Sequence, residues 1–196
     1  MGPIQATRRI AGALILASAL AGCEGVQDTS ATVSQHTPNA TGGAISSVPA
    51  RAITVTPFTM TRGVGVLPGR IGERTTVGNV SMGYVTLSPP PEALFTQAIK
   101  AELTAAGHSV AGGPSRVSGT VERFALSTPA TAVYWDVKID AALKVTVNGT
   151  SRRYAELCVQ RTYAWPSDTL ISGLANACVG KIAARFRQDK GVANAL

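Results

Sequence analysis

The most regular pattern in the chain is an alternation of apolar and polar residues between positions 133 and 147. Every odd position in this stretch is apolar, and the even positions are mostly charged or hydroxyl-bearing. A period of two indicates a β-strand with one buried face and one face in water, as is common in an antiparallel sheet. The apolar positions are Val133, Trp135, Val137, Ile139, Ala141, Leu143, Val145 and Val147.

A return strand is predicted from about Thr150 to Tyr163, and two registers are open to it. Asn148-Gly149 favours a two-residue turn, which pairs Val147 with Thr150. A three-residue loop would instead place Leu157 and Val159 on the buried face, and burial favours that second register. A slip of one residue turns every side chain to the other face, so both registers cannot hold without a bulge. The first register continues the buried face into Arg152, Tyr154, Glu156, Cys158 and Gln160, and the second into Ala155, Leu157 and Val159.

Two amphipathic helices are predicted, over residues 90–106 and 168–188. In the first, apolar residues recur every four positions, and in the second, Ser167 is a suitable N-terminal cap. Shorter strands are expected at residues 52–56, 84–87 and 116–126, the last with a bulge near Glu122-Arg123. Residues 61–83 contain six glycines and indicate a long loop or an irregular hairpin.

The N-terminal region has the layout of a secretion signal, since Arg8-Arg9 precedes an uncharged apolar stretch over residues 10–23. A permanent membrane span needs about 20 apolar residues, so this stretch is too short. It ends in Leu20-Ala21-Gly22-Cys23, which resembles a bacterial lipobox. The resemblance implies cleavage before Cys23, a diacylglycerol on its sulfur and acylation of the new N-terminus. Glu24 follows, rather than an inner-membrane-retaining Asp, which favours the periplasmic face of the outer membrane.

With Cys23 acylated, Cys158 and Cys178 remain as a possible pair in an oxidising compartment. Cys178 lies on the apolar stripe of the second helix, so a bridge requires Cys158 to face that helix. Only the two-residue turn provides this simply. We therefore favour that turn together with a Cys158–Cys178 disulfide, the alternative being two separate buried thiols.

These segments divide the chain into a signal peptide (1–22), a lipidated flexible tether (23–50), a folded domain (51–190) and a C-terminal tail (191–196). The tether is rich in small polar residues, and His36 within it is expected to be solvated. The formal net charge is +7, and removal of Arg8 and Arg9 leaves 16 basic against 11 acidic residues, or +5. Because the basic residues are scattered, nucleic acid is not an expected partner.

Several short stretches between residues 51 and 190 bear on the family. They are Pro91-Glu-Ala-Leu94, Ala105-Ala-Gly-His-Ser-Val110, Val117-Ser-Gly-Thr-Val121, Asn148-Gly149, Leu174-Ala-Asn176 and Gln188-Asp189. With the order of elements, they resemble the YajG-type family of bacterial lipoproteins, and similar layouts occur in auxiliary lipoproteins of lipid-transporting ABC systems. The resemblance implies an α+β domain with an antiparallel sheet of about four to five strands and two helices packed on one face.

The sequence offers little catalytic chemistry. It contains no H-E-x-x-H, C-x-x-C or G-x-S-x-G motif. Asp136 and Asp140 would lie about 13 Å apart on a strand, too far for paired acid–base work. His108 follows a helix end, where a structural or solvated role is expected. We therefore expect no enzymatic activity, no cofactor and no metal.

The best candidates for ligand binding are Arg62, Arg70 and Arg74 in the glycine-rich region, which could contact a phosphate-bearing head group or an acidic partner. The alternative is an ordinary basic loop. The expected function is that of an outer-membrane-anchored periplasmic lipoprotein that binds a partner protein or an envelope component. An auxiliary lipoprotein of an ABC-type lipid transporter, holding an acyl chain between sheet and helix, is the alternative. The oligomeric state is left open.

Overall fold

The structure is a computed structural model, and it describes residues 27–38, 42–63 and 66–196. These residues form eight strands, three α-helices and a short 3-10 turn at Ile45–Ser47. The strands are β1 (Thr29–Thr32), β2 (Ile53–Val55), β3 (Thr59–Met60), β4 (Arg70–Thr75), β5 (Ser81–Ser88), β6 (Ser115–Ser127), β7 (Trp135–Val147) and β8 (Thr150–Thr162). The helices are α1 (Pro91–Ala105), α2 (Asp168–Gln188) and α3 (Lys190–Ala195).

All eight strands belong to one mixed sheet, with the order β1-β5-β4-β6-β7-β8. The pairs β4–β5, β6–β7 and β7–β8 are antiparallel, whereas β1 runs parallel to β5. One long edge of β6 pairs in turn with β2, β3 and β4, all parallel to it. The predicted antiparallel sheet of four to five strands is therefore wrong, because the sheet is mixed and has eight strands.

The extra strands come from segments whose composition does not favour sheet. β4 lies in the glycine-rich region that was expected to be a loop or irregular hairpin, and Gly72 explains why a strand fits there. Its Cα is so close to β6 that an added Cβ would lie 2.2 Å from the carbonyl oxygen of Leu126. The glycine therefore permits the close backbone approach that a side chain would prevent.

The helices match the sequence prediction in position. The Ser167 hydroxyl accepts a hydrogen bond from the Leu170 N–H and caps α2 as expected. α1 and α2 contact each other and the sheet, so both cover the same face. Their core side chains Phe95, Ile99 and Phe186 are fully buried. Within the described residues, no helix is long and apolar enough to cross a membrane.

Both predicted boundaries of the folded domain need correction. β1 lies inside the segment assigned to a flexible tether, yet it pairs with β5 and buries Ala31. The Nδ2 of Asn176 in α2 also donates a hydrogen bond to the Ser34 hydroxyl. The predicted C-terminal tail belongs to α3, and Leu196 is buried. The described parts of 27–50 and all of 191–196 thus belong to the domain, because each contributes core side chains. The predicted signal peptide and Cys23 lie outside the described residues.

The β7–β8 hairpin adopts the two-residue turn. Val147 pairs with Thr150, and the same register continues to Trp135 opposite Thr162. Asn148 and Gly149 have φ values of 46° and 90°, the left-handed conformation that a two-residue hairpin turn requires. The predicted bulge in β6 is also confirmed, since the pairing with β7 shifts between Val121 and Arg123.

Candidate binding surface

The face of β6, β7 and β8 that points away from the helices forms the candidate surface, which we call the outer face. Paired residues in a sheet share a face, so the register defines its composition. Its centre is the Ala142–Ala155 pair, and towards Trp135 it continues through Asp140–Leu157 and Lys138–Val159. Small residues thus lie in the middle, with apolar and charged side chains beside them.

Three ion pairs cross this face from strand to strand. Two of them join neighbouring strands, and the third reaches from β8 across β7 to β6, so the charges compensate one another within the sheet. Pairs of this kind at the surface contribute little stability, because water and salt screen them. They are Arg161–Asp136 at 2.8 Å, Arg123–Asp140 at 2.9 Å and Arg153–Glu122 at 2.5 Å.

The Arg161–Asp136 pair has a clear effect on ionisation. The guanidinium donates two hydrogen bonds to the carboxylate, at 2.8 and 3.2 Å. These bonds lower the pKa of Asp136 below its ordinary value of 3.8, against a smaller opposing effect of burial, and the charges of Arg161 and Lys138 add to them. Asp136 is therefore ionised throughout the neutral range and serves as a fixed negative partner rather than as a proton donor.

Two large apolar side chains on β8 face water. Leu157 is 59% exposed and Val159 is 50% exposed, although each lies in the middle of a 13-residue strand. β8 also forms one edge of the sheet. Arg185 partly covers this edge, since its Nη1 donates to the Ala155 carbonyl at 2.8 Å. An edge strand that exposes apolar side chains is a common site of association with another molecule.

The exposure of Leu157 and Val159 follows from the register that the hairpin adopts. The alternative register would have buried both, but it would have turned Tyr154 and Cys158 outwards. In the observed register, Tyr154 packs edge-on against Phe186, with ring centroids 6.3 Å apart. Interactions with α2 on the other side of the strand therefore outweigh the burial of the two aliphatic residues.

The Cys158–Cys178 disulfide is present and confirms the predicted bridge. The two Cα atoms are 5.8 Å apart, and the bridge joins β8 to α2 across the core. Both cysteines are buried. Beside them, Glu156 pairs with Arg185 at 2.7 Å and with Lys181 at 3.3 Å, which ties the same strand to the exposed side of α2.

The three candidate arginines do not share one site. Arg62 forms an ion pair with Glu92 in the first turn of α1. Arg70 pairs with Asp28 at 3.4 Å, and its guanidinium lies 3.7 Å from the centre of the Tyr84 ring. Each positive charge is thus directed at a group of the protein itself.

Arg74 is buried and holds three segments together. It donates to the Thr29 hydroxyl at 2.6 Å and to the Pro166 carbonyl at 2.8 Å, and it pairs with Asp168. Its partners lie in β1, in the loop before α2 and in the first turn of α2. Arg74 therefore has a clear structural use, which a count of basic residues in a glycine-rich region does not reveal.

Both histidines of the described residues are also engaged. His36 is not solvated as expected, because its Nε2 lies 2.8 Å from the Glu102 carboxylate, which is 1% exposed. Arg187 approaches the other oxygen of the same carboxylate at 3.5 Å. His108 is buried, and its Nδ1 accepts a hydrogen bond from the Arg51 N–H at 3.2 Å. These histidines connect chain segments to the helices.

A buried tyrosine and a partly buried aspartate form a pair at the start of α3. Burial is the main cause that raises the pKa of the Tyr154 hydroxyl, and its hydrogen bond to Asp189, at 2.8 Å, adds to the effect. For Asp189 itself, burial acts to raise the pKa, but several contacts together lower it below 3.8. They are the Tyr154 hydroxyl, the N–H groups of Gly191 and Val192, and the charge of Arg152. Asp189 is thus a helix cap.

The apolar pair Leu157 and Val159 was not singled out as a candidate site from the sequence. A signal for it existed, since the Asn-Gly turn and the cysteine pairing both require the register that exposes these residues. Among the residues that the structure describes, no group of three or more His, Cys, Asp or Glu side chains is placed to hold a metal ion.

Comparisons with known proteins give no family for this chain. No protein-family model matches it, and no curated protein does. A crystal structure of a protein described as uncharacterized covers 82% of this chain and 98% of its own, with 13% identity and a TM-score of 0.45. A PelC dodecamer from Paraburkholderia phytofirmans covers 76% and 96%, with 14% identity and a TM-score of 0.33. A proposed homologue of a neuraminyllactose-binding hemagglutinin from Helicobacter pylori covers 82% and 92%, with 9% identity and a TM-score of 0.35. TM-scores this low carry no argument about function.

Proposed function

We propose that this chain is a lipoprotein of the outer membrane, attached at its periplasmic face through Cys23, whose domain binds a partner protein or another envelope component. In this proposal the protein is not an enzyme. The observation that carries the binding role is the outer face, where Leu157 and Val159 are exposed on an edge strand. Such a surface is typical of a site that a second molecule covers.

The disulfide supports the proposed compartment. Cys158 and Cys178 are bridged within the core, and bridges of this kind persist where the environment is oxidising. A lipobox at Cys23 implies export, which brings the domain into such an environment. The lipobox and the disulfide both support a location outside the cytosol.

The placement of the titratable groups supports binding rather than catalysis. Both histidines contact the protein itself, and Asp136 is ion-paired at the surface. An acid or base in a reaction needs a poised pKa and access to a substrate. In these residues the carboxylates and imidazoles instead connect strands and helices.

The packing between sheet and helices favours partner binding over the acyl-carrier alternative. An acyl chain held between the two layers needs space there, but Phe95, Ile99 and Phe186 fill that region and are fully buried. Close packing leaves little free volume in a protein core. We therefore keep partner binding as the proposal.

A photo-crosslinking amino acid at position 157, in the full chain in its native envelope, tests the proposal. Leu67 gives a matched control, because it is also a leucine and is 58% exposed, close to the 59% of Leu157. We expect a discrete adduct from position 157 and none from position 67. Equal products from both positions, or no adduct from position 157, would contradict a binding role for the outer face.

A second measurement tests the anchor. A Cys23→Ser variant should appear in the soluble periplasmic fraction, whereas the unaltered chain should sediment with outer membrane. If the variant still sediments with membranes, acylation at Cys23 is not what attaches the protein.

A further inference from the structure

One end of the sheet exposes a group of apolar and aromatic side chains that the proposed binding surface does not include. We call it the aromatic end. Tyr163 is 72% exposed and Val133 is 66% exposed. Tyr134 and Trp135, which follow Val133 in the chain, are half-buried. The exposed members are Val77, Val80, Val133, Tyr163 and Trp165.

The fold assembles this end from three separate parts of the chain. Trp135 begins β7 and pairs with Thr162 at the end of β8. Its indole N–H donates to the Thr75 carbonyl at 3.0 Å, where β4 ends and the turn with Val77 and Val80 begins. The aromatic rings then contact one another edge-on, with centroids 5.9 Å apart for Trp135–Trp165 and 6.4 Å for Tyr134–Tyr163.

The opposite end of the same strands has a different composition. There β7 and β8 are joined by Asn148-Gly149, next to the exposed side chains of Arg116, Ser151 and Arg152. β7 has 13 residues, so the two ends are about 40 Å apart. The domain therefore has one aromatic, aliphatic end and one polar, basic end.

Gln27, the first described residue, lies on the side of β1 that is nearer to the aromatic end. Thr29 pairs with Val85, and Gln27 lies against Gly83, where an added Cβ would be 2.1 Å from its carbonyl oxygen. Along β5, Val85 and Gly83 lead back to Ser81, and Ser81 pairs with Thr75 at the aromatic end.

Arg74 links the two features directly. Its guanidinium donates to the Thr29 hydroxyl in β1 and its Nε to the Pro166 carbonyl, next to Trp165. Cys23 lies four positions before Gln27 in the sequence, and four Cα–Cα steps span at most about 14 Å. An anchor at Cys23 can therefore be no more than about 14 Å from Gln27.

We propose that the aromatic end rests in the headgroup region of the membrane in which Cys23 is anchored, so that the domain stands upright with its Asn148-Gly149 end away from the bilayer. This inference rests on the proposed lipid attachment. Tryptophan and tyrosine suit that region, because each combines an apolar ring with a polar group that stays in contact with water.

Charge at the aromatic end points to a contact that does not depend on anionic lipid. Arg161 is paired with Asp136, and its guanidinium also lies 3.8 Å from the centre of the Tyr134 ring. The cation is therefore neutralised within the protein. We expect the end to enter a zwitterionic surface as well as an anionic one, in contrast to a polybasic membrane contact.

The cysteine and tryptophan content of the chain makes a direct experiment possible. The chain has three cysteines, two of them in the disulfide, so Cys23 is the only free thiol for chemical attachment to a maleimide lipid. It also has only two tryptophans, and both belong to the aromatic end. The mature chain, coupled through Cys23 to phosphatidylcholine vesicles, reports contact through its own fluorescence when the acyl chains carry bromine as a quencher.

We expect the Trp135→Phe variant, in which Trp165 is the only tryptophan, to lose at least about half of its emission in brominated vesicles relative to plain ones, because interfacial side chains reach the headgroup–acyl boundary. The Trp165→Phe variant should lose less, since Trp135 is half-buried. The unaltered protein gives the same comparison without a substitution, which protects the test if either variant fails to fold.

Leu157→Ser provides the matched control, because it removes an exposed apolar side chain from the outer face and leaves both tryptophans in place. Its quenching should equal that of the unaltered chain. Equal emission in the two kinds of vesicle would overturn the proposal, as would quenching that Leu157→Ser abolishes, since the sheet face would then be the part in contact. Coupling supplies the anchor chemically, so this result is independent of whether cells acylate Cys23.

Discussion

The disulfide between β8 and α2 allows a quantitative prediction about stability. Cys158 and Cys178 are separated by 20 residues, and a closed loop of that length restricts the unfolded chain by about 3 kcal/mol at 25 °C in the chain-entropy model. Domains typically unfold at a cost of about 5–15 kcal/mol, so the bridge supplies a large share of the total. Removing it should therefore lower the free energy of unfolding by about 3 kcal/mol.

The perturbation is the double variant Cys158→Ala, Cys178→Ala. Alanine is preferred to serine because both positions are buried, and two unpaired hydroxyls would add a separate penalty. Urea unfolding, followed by far-ultraviolet circular dichroism, gives the free energy for the oxidised protein, the reduced protein and the variant. The reduced protein and the variant should be destabilised by similar amounts, and reductant should have no effect on the variant.

A loss below about 1 kcal/mol in the double variant would refute the reasoning, because it would show that the bridge does not constrain the unfolded chain as its loop length requires. Cys23→Ala serves as the control for cysteine removal in general. It removes a thiol outside the bridge and should leave the free energy of unfolding unchanged.

Three further predictions concern individual side chains. Gly149→Ala should lower the free energy of unfolding by about 1 kcal/mol, since φ is 90° there, a conformation that alanine rarely adopts. Gly173→Ala in α2 should raise it by about 0.5–1 kcal/mol, because an added Cβ meets nothing within 4 Å and alanine favours helix. Urea unfolding that shows equal effects for the two variants would contradict this. Because the pKa of Asp189 is lowered in the folded state, its contribution to stability is present above the pKa of the unfolded chain and is lost as the pH falls through the folded-state pKa. Asp189→Asn should therefore lower the free energy of unfolding at pH 7 and reduce the dependence of that free energy on pH under acid conditions. An unchanged pH dependence would contradict the proposed role of the Asp189 carboxylate. Glu102→Ala, which removes the buried partner of His36 and Arg187, should cost about 3–5 kcal/mol. Glu122→Ala, at the surface, should cost less than about 1 kcal/mol; both are measured by thermal unfolding, and similar losses would argue against a special role for the buried carboxylate.

The sequence predicts those parts of the fold whose pattern is local. The alternation over residues 133–147 identified β7, and apolar spacing together with Ser167 identified α2. The hairpin register required a further argument, because side-chain burial and the Asn-Gly turn pointed in opposite directions. Pairing Cys158 with Cys178 favoured the correct register, since only one face of β8 meets α2.

The parts that the sequence did not reveal depend on contacts between distant segments. β1 has the sequence Thr-Ser-Ala-Thr, which is polar and short, and it is held by backbone pairing to β5 and by Arg74. β4 is rich in charge and contains Gly72, whose use becomes visible only when Leu126 lies beside it. For the same reason, the three candidate arginines looked like a cluster along the chain but have different partners in space.

The position of β1 also determines how far the domain can move from its attachment. A flexible segment of 28 residues, such as 23–50 was expected to be, would have a root-mean-square reach of about 29 Å. With β1 built into the sheet, only three residues lie between Gln27 and Cys23. In the proposed anchored form the domain therefore searches a small volume, and its effective concentration is high only for ligands close to the same membrane. A distant binding partner has to approach the bilayer itself, because this protein cannot extend to meet it.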